Sequence, residues 1–208
     1  YIDEVNLLPD EITDAILDAA AQGHYTVRRG PLKLKYRSRF LLIGSMNPEE
    51  GRLRPQLMDR FGLRAVVRGL AGADLRYRAY EQAIAYQRDA EAFAALYAES
   101  TLALAEEVQQ ARQLLPRVAI SDEAQALGVK LVQSLEIDSS RAEITLFEAA
   151  RAYAAADGRA LAGPSDVQAV AMLALRQRQS PALQQFFAEQ AQEDALMTAV
   201  FAQQAKEA

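Results

Sequence analysis

The sequence has no cysteine and only one histidine, His24, among its 208 residues. A disulfide framework and a thiolate metal site are therefore excluded for this chain, and one imidazole cannot form a histidine cluster. No apolar run reaches the length of about 18 residues that a membrane span requires. The chain opens on Tyr1-Ile2-Asp3-Glu4, not on a basic and then apolar leader. We expect no membrane span, no signal peptide and a cytoplasmic location.

Net positive charge is also lacking, since the formal charge is −5. A broad nucleic-acid footprint needs a basic stripe to offset phosphate charge, so we expect no nucleic-acid partner. The basic residues are nevertheless unusual, with 19 arginines and 4 lysines. Guanidinium groups bind phosphate with two parallel hydrogen bonds. The alternative is that these arginines form a solvated or salt-bridged surface.

The pattern of the sequence changes near residue 72. Residues 1 to about 70 predict alternating short strands and helices, whereas the later residues predict helices. Pro9 and Gly23 suit the start and end of one helix, along which Ile12, Ala15, Ile16 and Ala19 recur at helical spacing. Residues 25–29 and 32–37 flank Gly30-Pro31 and predict a hairpin. The continuous apolar run 40–44 predicts a parallel strand buried on both faces.

The later residues contain several helix-start signals. Ser121 precedes Asp122-Glu123, and both Ser140-Arg141-Ala142-Glu143 and Ser165-Asp166-Val167-Gln168 fit a capping box. One helix has a predicted buried stripe, and Asp157-Gly158 ends the next. That stripe consists of Leu127, Leu131 and Leu135. Residues 183–208 predict a tail helix with four apolar residues that need a partner surface: Phe186, Phe187, Met197 and Phe201.

Polar side chains follow two predicted strands. Asp3-Glu4 comes after the first, and Asn47 comes just after the run 40–44. Functional groups of an open parallel sheet gather at the carboxyl ends of its strands. An acidic pair there can bind magnesium through its first carboxylate and activate a water with its second. Alone, such an acidic pair is more often a surface feature, and Asn before Pro is ordinary turn chemistry.

Two segments together resemble the ATPase subunits of magnesium chelatase, which are ring-forming P-loop ATPases of the AAA+ class. The first is Tyr1-Ile2-Asp3-Glu4-Val5-Asn6-Leu7-Leu8, similar to their Walker B segment. The second runs from Gly44-Ser45-Met46-Asn47-Pro48 to Asp59-Arg60-Phe61-Gly62-Leu63. The resemblance extends less specifically to about residue 180.

The resemblance implies an α/β region followed by an all-α region. Residues 1–72 would form the C-terminal half of the AAA+ core, a parallel sheet with helices. Residues 73–118 would be connecting helices, 119–180 a helical lid domain and 181–208 a helical tail. The hairpin at 25–37 would be the insertion before the first sensor strand, which faces the pore, a partner or only solvent.

By the same resemblance, ATP and Mg²⁺ are the ligands. Asp3 would contact Mg²⁺ of Mg-ATP, directly or through water, and Glu4 would polarise the attacking water. Asn47 would be the sensor that positions this water. Arg60 would act in trans as an arginine finger, and Arg141 would be the second sensor, with pairing to Glu143 or solvent as the alternative. The partners would be further copies in a hexameric ring and chelatase subunits that insert Mg²⁺ into protoporphyrin IX for chlorophyll biosynthesis.

The phosphate loop of this family is missing from the sequence, because nothing in it fits Gly-x-x-x-x-Gly-Lys-Ser/Thr. We expect that loop upstream of Tyr1, and we expect the 208 residues alone to be inactive as an ATPase. Two other functions stay open. One is a MoxR-type AAA+ chaperone for metal-cofactor or complex assembly, and the other is a non-catalytic ring scaffold.

Overall fold

The structure, a computed structural model, describes residues 1–51, 53–179, 185–186, 188–195 and 197. The chain divides into two units, of which the first contains Tyr1–Gly62 and the second is Leu63–Gln179. The division after Gly62 comes earlier in the chain than the change in sequence pattern near residue 72. The four ranges 1–72, 73–118, 119–180 and 181–208 therefore remain predictions.

The first unit contains mostly short elements. In chain order they are a 3₁₀ turn (Val5–Leu7), helix α1 (Asp10–Gln22), strands β1 (His24–Arg29) and β2 (Leu32–Arg37), a 3₁₀ turn (Pro48–Glu50) and helix α2 (Pro55–Met58). The predicted ends of α1 are confirmed: Pro9 precedes it and Gly23, at φ 67°, terminates it. Its buried face is Thr13, Leu17 and Ala19, whereas Ile12 is 48% exposed. Of the four residues that recur at helical spacing, Ala19 is buried, Ile16 is half-buried, and Ile12 and Ala15 are exposed.

The predicted hairpin is confirmed, with β1 and β2 antiparallel and joined through Gly30-Pro31. Gly30 has φ 58°. A positive φ at the first central position followed by proline, whose φ is fixed near −65°, is the geometry of a type II′ turn. This turn matches the right-handed twist of the flanking strands and so fixes the register.

The two predicted strand ends of the first unit lie side by side in parallel. Ile2 bridges to Gly44. The Ile2 N–H donates to the Ile43 carbonyl at 2.9 Å, and the Ser45 N–H donates to the Ile2 carbonyl at 3.0 Å. The prediction that the run 40–44 forms a strand buried on both faces was wrong. Within this run only Gly44 forms a β-bridge, and Phe40, Leu41 and Ile43 are 46%, 83% and 54% exposed. Among the described residues this run pairs with the short segment at Ile2 alone. That segment is too short to cover the apolar side chains of the run.

The second unit is mainly helical, with a core formed by its last three helices. Its helices are α3 (Ala73–Arg88), α4 (Ala90–Leu96), α5 (Ala98–Leu114), α6 (Asp122–Ser134), α7 (Ser140–Ala156) and α8 (Pro164–Leu175). Leu146, Val132 and Val167 are almost completely buried there. Small residues on α7 let its neighbours approach closely, namely Ala142, Ala150 and Ala154, all at 0% exposure. Burial of each large aliphatic side chain contributes about 1.5–3 kcal/mol.

Helix α6 begins as predicted but buries a different stripe. Ser121 accepts the Ala124 N–H at 3.2 Å as its N-cap. The buried residues are Ala124, Gly128 and Val132, while Leu135 is 38% exposed. A Cβ on Gly128 would lie 2.4 Å from the ring of Phe147. Because Phe147 occupies that space, the stripe through Gly128 faces the core. Leu127 and Leu131 are partly buried and pack against that core, so the predicted leucine stripe was wrong only at Leu135.

Both predicted capping boxes were wrong in their position. Ser139, not Ser140, is the N-cap of α7, and it makes no side-chain capping hydrogen bond. Helix α8 starts at Pro164 with Gly163 as N-cap, which places Ser165 inside the helix. Its capping acceptor is Asp166, which accepts the Gly163 N–H at 2.8 Å. The predicted end of α7 at Asp157-Gly158 is confirmed.

A short parallel strand pair in the second unit was not predicted. Strand β3 (Ala119–Ile120) pairs with strand β4 (Leu161–Ala162). Two-residue strands give no periodicity in a sequence. The predicted tail helix lies partly outside the described residues, including its Phe187 and Phe201. Within the described part, Phe186 and Met197 are 54% and 50% exposed.

Among the residues that the structure describes, none belongs to a helix with both the length and the apolar character of a membrane span.

Candidate functional site at the parallel strand ends

The acidic pair and the segment before Asn47 meet through one hydroxyl. Ser45 Oγ donates a hydrogen bond to Asp3 Oδ1 and accepts the backbone N–H of Glu4 at 3.2 Å. The backbone adds a further bond, from the Val5 N–H to the Ser45 carbonyl at 2.9 Å. The parallel pairing of Ile2 with Gly44 therefore fixes both predicted strand ends at one edge.

The backbone of Glu4 is held in an unusual conformation. Its φ of 52° and ψ of 49° lie in the left-handed region, which residues with a Cβ seldom adopt. The bonds of the Glu4 N–H and of the Val5 N–H to Ser45 hold the turn in place, and Val5 is only 3% exposed. The Glu4 side chain remains exposed. A strained and fully anchored turn that presents an exposed carboxylate is typical of functional sites.

Hydrogen bonds to the Asp3 carboxylate favour its ionised form. The hydroxyl of Ser45, and secondarily that of Tyr1 at 3.1 Å, donates to its carboxylate and lowers its pKa below the usual value. An ionised carboxylate next to a hydroxyl is a hard oxygen donor set, which suits Mg²⁺. Within the described ranges, no group of three or more Asp, Glu or His side chains is placed to share a metal. Asp3 thus fits a Mg²⁺ that takes its other ligands from phosphates and water.

Asn47 caps the turn that follows the second strand end. Its Oδ1 accepts the Glu49 N–H at 3.2 Å at the start of the 3₁₀ turn Pro48–Glu50. The residue is exposed. Asn47 follows Ser45 by only two positions, which places it on the segment already joined to Asp3 and Glu4.

Arg60 lies on the turn after α2 and is paired within its own chain. Its Nη1 forms an ion pair and hydrogen bond with Asp18 on α1. The following residue, Phe61, packs close to the parallel bridge, because a Cβ on Gly44 would lie 3.3 Å from its ring and 3.3 Å from Val5 Cγ1. The missing side chain of Gly44 therefore allows Phe61, the neighbour of Arg60, to pack against the parallel bridge.

Arg141 belongs to the second unit, where it is exposed in the first turn of α7. Asp3, Glu4, Asn47 and Arg60 all belong to the first unit.

Sequence reasoning missed two residues that organise this site, Ser45 and Asp18. Ser45 could have been found, since it is the first polar residue after the apolar run 40–44. Asp18 could not, because its pairing with Arg60 joins positions 42 residues apart.

The chain is similar to known proteins over most of its length. Residues 119–200 match the family model described as the AAA lid domain. The chain is 43% identical over 183 residues to a "Magnesium-chelatase subunit ChlI homolog" of Methanocaldococcus jannaschii, covering 87% of this chain and 50% of the relative. It is also 43% identical over 178 residues to the "Magnesium-chelatase 38 kDa subunit" of Acidiphilium rubrum, covering 86% of this chain and 52% of the relative.

The chain thus spans about half the length of these two curated relatives. A crystal structure of a putative ATPase from Cytophaga hutchinsonii has a similar fold, with a TM-score of 0.60 over 85% of this chain and 57% of that one. Its identity is 22%, so it supports the fold alone. The predicted fold class, an AAA+ α/β core region followed by helices, is confirmed. Together these matches support an AAA+ ATPase fragment of the magnesium-chelatase I-subunit type.

Proposed function

We propose that this chain supplies the water-activating, sensing and trans-acting residues of an ATP-hydrolysing AAA+ ring. The observation that carries the proposal is the Ser45 hydroxyl, which joins Asp3 and Glu4 to the segment of Asn47. Groups for metal binding and for water activation thereby share one edge. Hydrolysis of this kind depends on positioning and charge stabilisation, not on a covalent intermediate.

Each residue of the first unit has a separate role in this proposal. Asp3, whose pKa is lowered by the Ser45 hydroxyl, would hold the Mg²⁺ of Mg-ATP, which would neutralise phosphate charge. Glu4 accepts a proton from the attacking water, because its carboxylate is exposed and its backbone is anchored by Ser45. The amide of Asn47 orients that water.

Arg60 acts on the nucleotide of a neighbouring copy. Its ion pair with Asp18 is partly exposed, with side chains at 31% and 52%. Such pairs are worth only about 0–1 kcal/mol, so Arg60 can exchange Asp18 for a phosphate at little cost. Assembly into a homo-oligomeric ring, which we propose to be a hexamer, would bring this arginine to the adjacent site. Arg141 contributes a second cation from the helical domain.

The downstream process is proposed from the names of the relatives. Two of them are magnesium-chelatase subunits or homologues, which favours coupling of hydrolysis to Mg²⁺ insertion into protoporphyrin IX by a partner complex in the cytoplasm. Residues 25–37 would form the family's hairpin insertion. A MoxR-like chaperone and a non-catalytic scaffold are the alternatives, and intact Asp3, Glu4, Asn47, Arg60 and Arg141 count against the scaffold.

The 208 residues alone should not hydrolyse ATP above background, since no phosphate-loop sequence occurs among them. The test of function therefore uses the full-length protein. Glu4→Gln should retain ATP binding and lose hydrolysis by about 100-fold to 10,000-fold, because an amide keeps the shape but cannot accept the proton. Glu11→Gln on α1, an exposed acid, is the matched control and should leave hydrolysis unchanged. Equal turnover by Glu4→Gln and wild type would exclude Glu4 as the base.

Separate assays distinguish the downstream functions. A chelatase motor should stimulate Mg²⁺ insertion into protoporphyrin IX when partner subunits and ATP are added. ATP hydrolysis without any such stimulation would favour the chaperone, and the absence of hydrolysis by full-length wild type would favour the scaffold.

A further inference from the structure

The hairpin of β1 and β2 sorts its side chains into a basic face and an apolar face. The cross-strand pairs of the basic face are His24 with Arg37, Thr26 with Lys35 and Arg28 with Lys33. On the opposite face, Tyr25 pairs with Tyr36, Val27 with Leu34 and Arg29 with Leu32. The rings of the two tyrosines stack with their centroids 5.2 Å apart. The hairpin is therefore an ordered two-faced ribbon.

Both faces of the ribbon are open to solvent. All residues at positions 25–37 are exposed, including apolar side chains such as Val27 at 43% and Leu34 at 42%. A two-stranded sheet that covers no core is marginally stable in water. Further packing against an added surface would thus be favourable.

The charge of this region is of one sign. No acidic residue occurs between Asp18 and Glu49, in a chain whose net charge is −5. The basic residues in that interval are Arg28, Arg29, Lys33, Lys35, Arg37 and Arg39. A partner that contacts the ribbon should therefore carry negative charge.

Strand β2 offers the edge on which such a partner can pair. Its sequence, Leu32-Lys33-Leu34-Lys35-Tyr36-Arg37, alternates apolar and basic residues. In the part of the chain that the structure describes, β1 is its one strand partner, so its outer edge can accept backbone hydrogen bonds. Pairing with β2 of a second copy would place like charges opposite each other, which is unfavourable.

We propose that the outer edge of β2 binds an extended acidic segment of a partner protein as a third strand. Acidic residues at alternate positions of that segment lie opposite Lys33, Lys35 and Arg37. The intervening apolar residues extend the face formed by Leu34 and Tyr36. Main-chain hydrogen bonds supply affinity in this mode, and the alternate side chains supply specificity. The proposal does not depend on ATP hydrolysis.

Lysines on an exposed edge also have a purely protective use, since they prevent strand addition. Under that alternative no extended segment binds.

Basic residues beside tyrosines could instead bind a single-stranded nucleic acid through its phosphates and bases. The outer backbone edge of β2 favours a strand partner, because a nucleic acid has no regular row of amide N–H and C=O groups to pair with it.

The test measures fluorescence anisotropy of labelled peptides with the full-length protein. One peptide alternates Glu and Val over the length of β2, and a second has the same composition in two blocks. We expect the alternating peptide to bind about tenfold more tightly or better, because two to three opposite-charge pairs add to the ladder. Absence of binding, equal binding of both peptides, or preference for a single-stranded oligonucleotide would overturn the proposal.

A charge exchange then locates the site. The double variant Lys33→Glu/Lys35→Glu should lose affinity for the Glu-Val peptide by about tenfold or more and gain affinity for a Lys-Val peptide. Lys130→Glu, an exposed lysine on α6, is the matched control and should bind both peptides as wild type does. The gained affinity separates lost recognition from misfolding. If preference does not transfer to the Lys-Val peptide, the β2 edge is not the binding surface.

Discussion

The guanidinium of Arg60 is ion-paired with the carboxylate of Asp18 on helix α1 of the same chain. The arginine proposed to act in trans therefore has a resting partner in cis. Because both side chains are partly exposed, the pair contributes little to stability and can be exchanged.

Removing the resting partner should leave the enzyme active. In the full-length protein, Asp18→Asn should change the free energy of unfolding by less than about 1 kcal/mol, as for other exposed pairs. Steady-state ATP hydrolysis should equal or exceed that of wild type, since Arg60 becomes more available. Asp14→Asn, on the neighbouring turn of α1, controls for the lost charge. If Asp18→Asn is as inactive as Arg60→Ala, the ion pair is needed to position Arg60 for hydrolysis, and the expectation of an exchangeable partner is wrong.

The trans role of Arg60 is tested by mixing two inactive variants. Arg60→Ala should bind ATP nearly normally but hydrolyse it about 1,000-fold to 100,000-fold more slowly, the range for arginine fingers in related nucleotide hydrolases. Glu4→Gln is inactive for the opposite reason, because it lacks the base and retains the arginine. Mixed rings should regain hydrolysis at interfaces that combine an intact Glu4 with an intact Arg60.

The mixing experiment needs proof that mixed rings form, which differently tagged copies and co-purification provide. Arg68→Ala, an exposed arginine beyond the turn, should remain active alone. Recovery at intermediate ratios supports the trans role. Hydrolysis retained by Arg60→Ala alone would leave Arg60 as a structural partner of Asp18.

The Ser45 hydroxyl should lower the pKa of Asp3. The Ser45 hydroxyl is the largest cause of the lowered pKa of Asp3. Ser45→Ala should therefore raise that pKa toward its ordinary value of 3.8, as measured by an NMR titration of the Asp3 carboxyl carbon. Asp3 stays ionised near neutral pH in both proteins, so any lost hydrolysis there reflects the freed Glu4 backbone. Ser38→Ala should not move the titration, and an unchanged midpoint in Ser45→Ala would refute the bond.

Asp166 should stabilise the second unit in a pH-dependent way. Its carboxylate is 1% exposed and accepts Arg159 Nη1 at 2.7 Å and the Gly163 N–H at 2.8 Å. Arg159 is the main cause of its lowered pKa. Asp166→Asn should reduce the free energy of unfolding by about 2 kcal/mol at pH 7. We expect no larger loss, because the Arg159 side chain is 42% exposed and solvent screens its charge.

The sign of the pH effect follows from the lowered pKa. A carboxyl group with a lower pKa in the folded state stabilises it above the unfolded pKa of about 3.9, and this contribution disappears as the pH falls through the folded value. Urea unfolding followed by circular dichroism should thus show the deficit of Asp166→Asn at pH 7 and a smaller one below about pH 3.9. Asp157→Asn, which removes the exposed partner of Arg159, should cost less than about 1 kcal/mol. A deficit that is the same at both pH values would contradict the ionic explanation.

Local sequence was sufficient where a single residue decides the backbone. Gly23 ends α1, Gly30-Pro31 turns the hairpin and Ser121 caps α6, since each depends on conformations or hydrogen bonds within a few residues. Acidic and amide residues placed just after strand signals also located Asp3, Glu4 and Asn47. The roles of these residues remain predictions.

Tertiary structure decided which side chains are covered and which groups meet. Gly128 faces the core of the second unit because the ring of Phe147 occupies the space of its missing side chain, a contact that helical periodicity cannot reveal. Ser45 reaches Asp3 and Glu4, and Asp18 reaches Arg60, across more than 40 residues. Sequence by itself therefore determined helix α1, the hairpin and its turn, the start of α6, and the chemical types of the residues around Asp3 and Asn47, since those follow from short-range preferences. The partners of the functional groups were decided only by folding, because hydrogen bonds and packing act between atoms that are close in space, wherever they lie along the chain.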